Sequence, residues 1–173
     1  MQFELQPVLT GETLIVRPLR ADDREALWEV ARDPLIWEQH PDKTRFQPEG
    51  FARFFQDSLD SASALVVVEA ASGRIIGSAR YYDWDPGKRE VAIGYTFLTR
   101  AFWGGATNGE LKRLMIGHAA RWADRVWFHV GKHNLRSQKA MEKIGAMVER
   151  EALRPLNGEM VPFLYYRIDT AGW

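Results

Sequence analysis

An uninterrupted run of apolar residues at positions 64–68, ALVVV, constrains the fold more than any other feature of the chain. A run this short, with no alternation of polar and apolar residues, predicts a strand that is buried on both faces. Such a strand lies inside a sheet that is covered on each side, so helices are expected in front of it and behind it. With 173 residues the chain is long enough for one such domain, and we expect a single domain over residues 1–173.

Periodic patterns elsewhere supply the covering helices and the remaining strands. Apolar residues recur at helical spacing in four stretches, which predicts helices at residues 21–33, 48–59, 111–122 and 135–144. Shorter stretches bounded by turn residues predict strands at residues 14–18, 74–82, 90–97, 125–130, 147–153 and 161–168. The order begins with an antiparallel meander and ends with strand–helix–strand units. It predicts an α/β (α+β) fold with a mixed, mostly antiparallel sheet of about seven strands.

Composition narrows the expected partners and compartment. Lys+Arg and Asp+Glu each number 23, so the net charge is zero, whereas nucleic-acid-binding domains normally carry a basic excess. Cysteine is absent, which excludes disulfides and thiolate chemistry. No pair of histidines has metal-ligand spacing, and no apolar run approaches the ~20 residues of a membrane span. We therefore expect no nucleic-acid, membrane or metal partner, and a cytoplasmic location.

A glycine-rich loop, WGGATNG at residues 103–109, separates a predicted strand from a strongly periodic helix. Glycines let an anion approach the backbone, and the free N–H groups and dipole of the following helix favour a phosphate. The loop is not a P-loop, because Glu110-Leu111 stands where Lys-Ser/Thr is required, and the pattern G-x-G-x-x-G is also missing. Thr107 and Glu110 have the spacing of a capping box, so the loop by itself also fits a simple helix start.

Two separated motifs make the interpretation more specific. The first is VAIGYTFL at residues 91–98 followed by FWGGATNGELK at residues 102–112, and the second is HNLRSQKAMEKIGA at residues 133–146. Together they resemble the GNAT superfamily of N-acetyltransferases, and within it most closely the Rim-type branch that acetylates amino termini of ribosomal proteins. The segment LIVRPL at residues 14–19 and the Asp33-Pro34 pair fit the same branch, so the resemblance covers nearly the whole chain.

The resemblance implies a sheet that splays apart between its fourth and fifth predicted strands, with acetyl-CoA bound in the split. Its pantetheine arm is expected on the backbone of residues 94–97, and its pyrophosphate on the N–H groups of the glycine loop. The cofactor-binding residues implied in this way are Gly94, Tyr95, Thr96, Phe97, Trp103, Gly104, Gly105, Ala106, Thr107, Asn108, Gly109, Asn134 and Ser137. One position departs from the superfamily pattern, because Ala101 stands where Gln or Arg is usual, with Arg100 beside it.

The resemblance also implies an acid for the departing thiolate. Ser137 lies one turn into its predicted helix and is the first choice, although a serine there can simply bond within the first helical turn. Asn134 fits both an N-cap and a contact with pantetheine. Tyr165 and Tyr166 are alternatives for the acid, and since neighbouring strand residues face opposite ways, at most one of them can point to the site.

The base and the acceptor pocket are less constrained by the sequence. Many members of the branch carry an acid immediately before Ile-Gly-Tyr, where this chain has Ala92. Glu90, on the same face of the strand, is the candidate base, acting through water, and its alternative is a solvated edge charge. Structural roles are preferred for the neighbouring carboxylates Asp83 and Asp85 and for the histidines His118 and His129. The residues predicted to line an acceptor pocket are Trp37, Tyr82 and Trp84.

The sequence therefore predicts an acetyl-CoA-dependent N-acetyltransferase that moves the acetyl group directly to a primary amine, either a protein amino terminus or a small-molecule amine. Direct transfer is expected because the chain has no cysteine to carry an acyl intermediate. The alternative is a non-catalytic acyl-CoA-binding regulatory module, which the missing acid at Ala92 suggests. Members of the superfamily often pair, so a homodimer is left open.

Overall fold

The computed structural model describes residues 2–173, which contain eight strands and four α-helices. The strands are β1 Leu9–Thr10, β2 Leu14–Pro18, β3 Ala64–Glu69, β4 Ile75–Asp85, β5 Glu90–Leu98, β6 Arg125–Gly131, β7 Met147–Leu156 and β8 Glu159–Asp169. The helices are α1 Arg24–Ala31, α2 Pro48–Asp60, α3 Thr107–Ala119 and α4 Leu135–Lys143. The predicted fold class is confirmed, with one more strand than expected. That strand, β1, has only two residues, too few to produce an alternating pattern.

All strands belong to one sheet in the order β1-β2-β3-β4-β5-β6-β8-β7. Helices α3 and α4 cover one face and α1 and α2 cover the other. The central strand β3 is buried on both faces as predicted, because Leu65 and Val67 pack in the cluster of Met115 while Val66 packs in the cluster of Phe51. Among residues 2–173, no helix combines the length and the hydropathy needed to cross a bilayer.

The parallel pair β5–β6 is joined over only a short stretch. Pairing runs from Glu90↔Arg125 to Ala92↔Trp127, although β5 continues to Leu98 and β6 to Gly131. Beyond Ala92 the two strands part, while β6 remains paired with β8 along its whole length. The predicted split is thus confirmed, and it lies between the fifth and sixth strands once β1 is counted.

A bulge in β5 lies just beyond the point of separation. Ser78 pairs with Phe97 and Arg80 pairs with Gly94, so Tyr95 and Thr96 together oppose a single residue of β4. Tyr95 has φ +52°, a left-handed conformation that is uncommon for a residue other than glycine. A bulge leaves backbone groups outside the sheet hydrogen bonding, and strained backbone of this kind tends to occur at functional sites.

The start of α3 differs from the predicted capping box. Helix α3 begins at Thr107 without a side-chain cap, and Glu110 reaches a distant strand instead of its own N-cap. Its carboxylate accepts hydrogen bonds from the Thr13 N–H at 2.8 Å, the Leu14 N–H at 3.1 Å and the Thr13 hydroxyl at 2.5 Å. Burial raises the pKa of Glu110, but these hydrogen bonds outweigh it and the net pKa is lowered. The capping-box prediction is therefore wrong, because three donors at the start of β2 compete for the same carboxylate.

Replacing Glu110 with alanine should lower the free energy of unfolding by about 2–3 kcal/mol, since it leaves two backbone N–H groups without an acceptor. Urea denaturation at neutral pH measures this loss. The matched control is Glu159→Ala, which removes an exposed carboxylate at the turn between β7 and β8. A loss for Glu110→Ala no larger than that of the control would contradict the anchoring role.

Candidate active site

Two cavities meet at the split. The larger has a volume of about 800 Å³ and lies between the glycine loop, the start of α3 and the helix α4. The smaller, about 90 Å³, occupies the gap between β5 and β6. Six residues line both cavities and mark their junction: His40, Thr96, Lys112, Asn134, Ser137 and Met141.

The glycine loop presents bare backbone to the large cavity. Gly104 has φ +73°, a conformation that glycine adopts without strain. A Cβ added at Gly104 or Gly105 would meet no atom within 4 Å, so both positions are open to a ligand. Directly after them, the first turn of α3 carries N–H groups that have no partner inside the helix. The arrangement suits an anion bound through backbone donors.

Basic side chains are concentrated around the large cavity. Five of its lining residues are basic, and among the described residues that line it none is acidic. The basic residues are Lys112, Arg113, Arg136, Lys139 and Lys143. Because the whole chain has a net charge of zero, this is a local excess of positive charge. A polyanionic ligand would be attracted to it.

Arg136 joins the glycine loop to α4 and to the segment after α1. Its guanidinium stacks on the Trp103 ring at 3.8 Å and donates to the Ile36 carbonyl at 3.1 Å. Its backbone N–H donates to the Gln39 side chain at 3.0 Å, and the Trp103 indole N–H donates to the Leu98 carbonyl at 3.0 Å. These contacts hold three segments of the cavity wall in one arrangement.

Arg100 precedes Ala101, the position that departs from the superfamily pattern, and unlike Arg136 it does not contribute to the cavity wall. It forms an ion pair with Asp33 at 2.5 Å and lines neither cavity.

Asn134 caps α4 as predicted, because its Oδ1 accepts from the Ser137 N–H at 3.2 Å. The Ser137 hydroxyl is half-buried at the junction of the cavities and makes no hydrogen bond within residues 2–173. The alternative interpretation, in which this hydroxyl forms a hydrogen bond within the first helical turn, therefore does not apply. At the other end of α4, Gly145 has φ +78°, which fits its predicted place after the helix.

A polar cluster surrounds His129, which lines the small cavity. Tyr82 Oη lies 2.7 Å from His129 Nδ1, and Arg154 Nη1 lies 3.1 Å from the same nitrogen and 3.0 Å from Tyr165 Oη. Because arginine can only donate, His129 Nδ1 is the acceptor and the ring is neutral. Burial, followed by the charge of Arg154, lowers the pKa of His129 to about 3. Tyr166, by contrast, packs in the core on the side of α3.

Most of the predicted cofactor residues lie at the cavities. Gly94 and Tyr95 line the small cavity; Phe97, Trp103, Gly104, Gly105, Asn108 and Gly109 line the large one; Thr96, Asn134 and Ser137 line both. Ala106 and Thr107 line neither. Glu90, the candidate base, lies where β5 and β6 are still joined, and its carboxylate accepts from Arg125 at 3.0 Å. It also lines neither cavity.

The three aromatic residues predicted for an acceptor pocket have different positions. Trp37 lines the large cavity, but it is only 1% exposed and its indole N–H donates to the Ala31 carbonyl at 2.7 Å. The Tyr82 hydroxyl stands over β5, since a Cβ at Gly94 would lie 3.1 Å from it. Trp84 lies away from both cavities and packs against Phe3 at 5.0 Å in the core beneath α3. Packing against this core accounts for a tryptophan at position 84 without a role in an acceptor pocket.

Sequence reasoning missed Lys112 and Arg154. Lys112 lies on the apolar face of α3 together with Met115 and Ile116, so its helical spacing could have identified it. Arg154 depends on contacts with His129 and Tyr165, which lie in other strands, and it leaves no local pattern. His40 accepts from the Asp42 N–H at 2.9 Å, and burial lowers its pKa to about 3.

The two low pKa values predict a loss of stability in acid. His40 and His129 stay neutral in the folded chain, whereas in the unfolded chain they take up protons below 6.5. The unfolded state thus binds more protons between pH 3 and 6.5, and stability falls as the pH falls through that window. Replacing His129 with glutamine should reduce the loss between pH 7 and 5 by about 1–2 kcal/mol in urea denaturation. The exposed His133→Gln is the matched control, and equal behaviour of both variants would refute the assignment.

Comparison with known proteins gives the family. The model of the acetyltransferase (GNAT) domain matches residues 13–147, which is more than half of the chain. No curated protein sequence is significantly similar to the chain. The fold is similar to that of a GCN5-related N-acetyltransferase from Brucella melitensis, at TM-score 0.87 and 15% identity, covering 99% of this chain and 82% of that one.

Two further structures share the fold. An acetyltransferase of the GNAT family from Bacillus anthracis matches at TM-score 0.75 and 19% identity, covering 95% of this chain and 99% of that one. RimL, a ribosomal L7/L12 alpha-N-protein acetyltransferase in complex with coenzyme A, matches at TM-score 0.76 and 15% identity, covering 94% and 98%. With the domain match, the glycine loop and the split sheet in place, the chain belongs to the GNAT family and is an acetyl-CoA-dependent acetyltransferase.

Proposed function

We propose that the chain transfers the acetyl group of acetyl-CoA directly to a primary amine, either a protein amino terminus or a small-molecule amine. The observation that carries this proposal is the junction of the two cavities. A cationic cavity large enough for a cofactor opens, through six shared residues, into the gap between β5 and β6. A donor entering from one side and an acceptor entering from the other would meet there.

The residues of the large cavity fit coenzyme A. Backbone N–H groups after Gly104 and Gly105 would hold its pyrophosphate, and the five basic side chains would balance its phosphate charges. The bulge at Tyr95 and Thr96 leaves backbone groups free to bond an amide-rich pantetheine arm. Acetyl-CoA supplies an acyl group activated as a thioester, and the cavity walls orient it toward the split.

Ser137 is the group that we assign as the acid for the departing sulfur. Its hydroxyl lies at the junction, makes no hydrogen bond within residues 2–173 and is positioned by the Asn134 cap. Asn134 lines both cavities, so a pantetheine contact fits beside its capping role.

The amine proton is proposed to leave through water. None of the described residues that line the small cavity is a carboxylate, and its two histidines, with pKa values about 3, do not hold a proton near neutral pH. An acceptor must therefore arrive largely as the neutral amine. An α-amine, with a pKa near ~7.7–8.0, meets this requirement more readily than a lysine side chain near ~10.4. Amino termini, including those acted on by the Rim-type branch, are the favoured acceptors.

Ser137→Ala should lower kcat roughly 10²-fold while leaving the affinity for acetyl-CoA within a few-fold. Turnover is measured with free thiol release over a panel of peptides with free amino termini and small amines. Ser72→Ala, in an exposed turn, is the control for a lost serine hydroxyl. Unchanged turnover in Ser137→Ala would remove the assigned acid. Binding of coenzyme A without acetylation of any amine in the panel would instead favour the non-catalytic binding module.

The same assay tests Glu90, the base predicted from the sequence. Because its carboxylate is paired with Arg125 at the joined end of the strands, we expect Glu90→Gln to change kcat/KM by only a few-fold. A loss of roughly 10²-fold, steepest at low pH, would restore it as the base.

The glycine loop gives a separate test of cofactor binding. Gly105→Asp should weaken coenzyme A binding about tenfold or more, because it places a carboxylate where the phosphates are expected. Gly105→Ala is the matched control, since the open space around this position accommodates a methyl group. Calorimetric titration with coenzyme A measures both affinities. Equal affinities for the two variants would place the phosphates elsewhere.

A further inference from the structure

Lys112 is a buried cation without a counter-ion. It is 3% exposed, and its only hydrogen bond is from Nζ to the Thr96 hydroxyl at 3.1 Å. Within residues 2–173, no carboxylate lies within 4.0 Å of Nζ. Lysine is rarely buried to this extent unless it is paired, because removing an ammonium group from water is costly.

Two buried charges elsewhere in the chain have such partners, whereas buried Arg80 donates to the Ser58 hydroxyl at 2.6 Å and stacks on the Tyr95 ring. Asp23 pairs with Arg17 at 2.8 Å, and Arg45 pairs with Asp42 at 3.0 Å. Lys112 has a hydroxyl and, 5.2 Å away, the face of the Phe128 ring. These two contacts leave two of its three N–H donors unused.

The position of Lys112 is the second observation. Thr96 belongs to β5 and Phe128 to β6, so the lysine crosses the gap where the strands have separated. It is also one of the six residues that line both cavities, together with Ser137. A thioester carried in by coenzyme A would have to lie at this junction to reach an amine.

We propose that the Lys112 ammonium group stabilises the sulfur of coenzyme A as a thiolate when the acetyl group is transferred; this inference rests on the proposed function. In the transfer the amine nitrogen forms a bond to the carbonyl carbon, and the carbon–sulfur bond breaks with its electron pair remaining on sulfur. The proton that the amine loses goes to water. The negative sulfur is paired with Lys112 and accepts a hydrogen bond from the Ser137 hydroxyl, which then passes its proton to the sulfur and regains one from water.

The charge state of Lys112 is compatible with this role. Burial lowers its pKa to about 8, so the ammonium form still predominates at neutral pH. The other titratable groups that line the small cavity are His40, Tyr95 and His129. The two histidines do not change charge in the neutral range, because their pKa values are about 3. Further positive charge comes from the other basic groups around the large cavity, which are Arg113, Arg136, Lys139 and Lys143.

The experiment measures the ionisation of the bound coenzyme itself. Coenzyme A is added to wild-type protein and to Lys112→Met, and the ultraviolet absorption of the thiolate is followed against pH. In the wild type the bound thiol should ionise about one pH unit or more below the free coenzyme, which corresponds to a tenfold larger thiolate fraction. In Lys112→Met it should ionise at or above the pH of the free coenzyme. Lys88→Met, at an exposed turn, should behave as the wild type.

Unfolding of the variants separates this role from a structural one. Removing a buried ammonium group that has no counter-ion should leave the melting temperature of the ligand-free protein unchanged or higher. If Lys112→Met does not fold, the same titration is made with Lys112→Gln. Lys112→Arg keeps a cation at this position and should keep most of the shift in thiol ionisation. With acetyl-CoA and an amine, Lys112→Met should lower kcat roughly 10²-fold with little change in KM for acetyl-CoA.

The titration is independent of turnover, so the two proposals can fail separately. Identical thiol ionisation in wild type and Lys112→Met would overturn the role of Lys112, even if the wild type acetylates amines. A lysine-dependent shift in a protein that acetylates no amine would overturn the proposed function but keep the contact between Lys112 and sulfur.

Discussion

The separation of β5 from β6 after three residue pairs is the constraint on which the site depends. A parallel pair that stayed joined would bury its backbone groups in hydrogen bonds and leave no room between the strands. Here Ala92↔Trp127 is the last pair, and both strands continue past it. Because β6 stays bonded to β8 and β5 to β4, the sheet opens without losing either half. The bulge at Tyr95 lies just beyond the last pair, so unbonded backbone is concentrated in this part of the opening.

Holding such a gap open requires anchors outside it. Glu110 ties the first turn of α3, and with it the glycine loop, to the start of β2 through three hydrogen bonds. Arg136 ties the start of α4 to Trp103 and to the segment after α1. The two helix N-termini that border the large cavity are therefore positioned by contacts on its rim. Because these rim contacts hold the walls in place, the interior side chains of Lys112 and Ser137 form no hydrogen bond to a carboxylate or to each other. They remain available to a ligand.

Features encoded by local sequence were predictable, whereas features made by distant contacts were not. The burial of β3, the Asn134 cap and the Gly145 end of α4 follow from runs and spacings of a few residues. The cavity residues in the two motifs were identified through the GNAT resemblance. The capping box at Glu110 failed because its hydrogen-bond partner Thr13 lies 97 positions away. The Tyr82–His129 contact spans 47 positions, and no pattern along either strand indicates it.

The distribution of charge at the site links these features to selectivity. A neutral chain places five basic residues around the large cavity, and the described residues that line the small cavity include no carboxylate. A cationic amine approaching the junction would meet positive charge that nothing nearby offsets, so its neutral form is favoured there. The same field stabilises a negative sulfur. Positive charge at the junction therefore acts on both reactants in the direction of transfer, which favours an acceptor with a weakly basic amine.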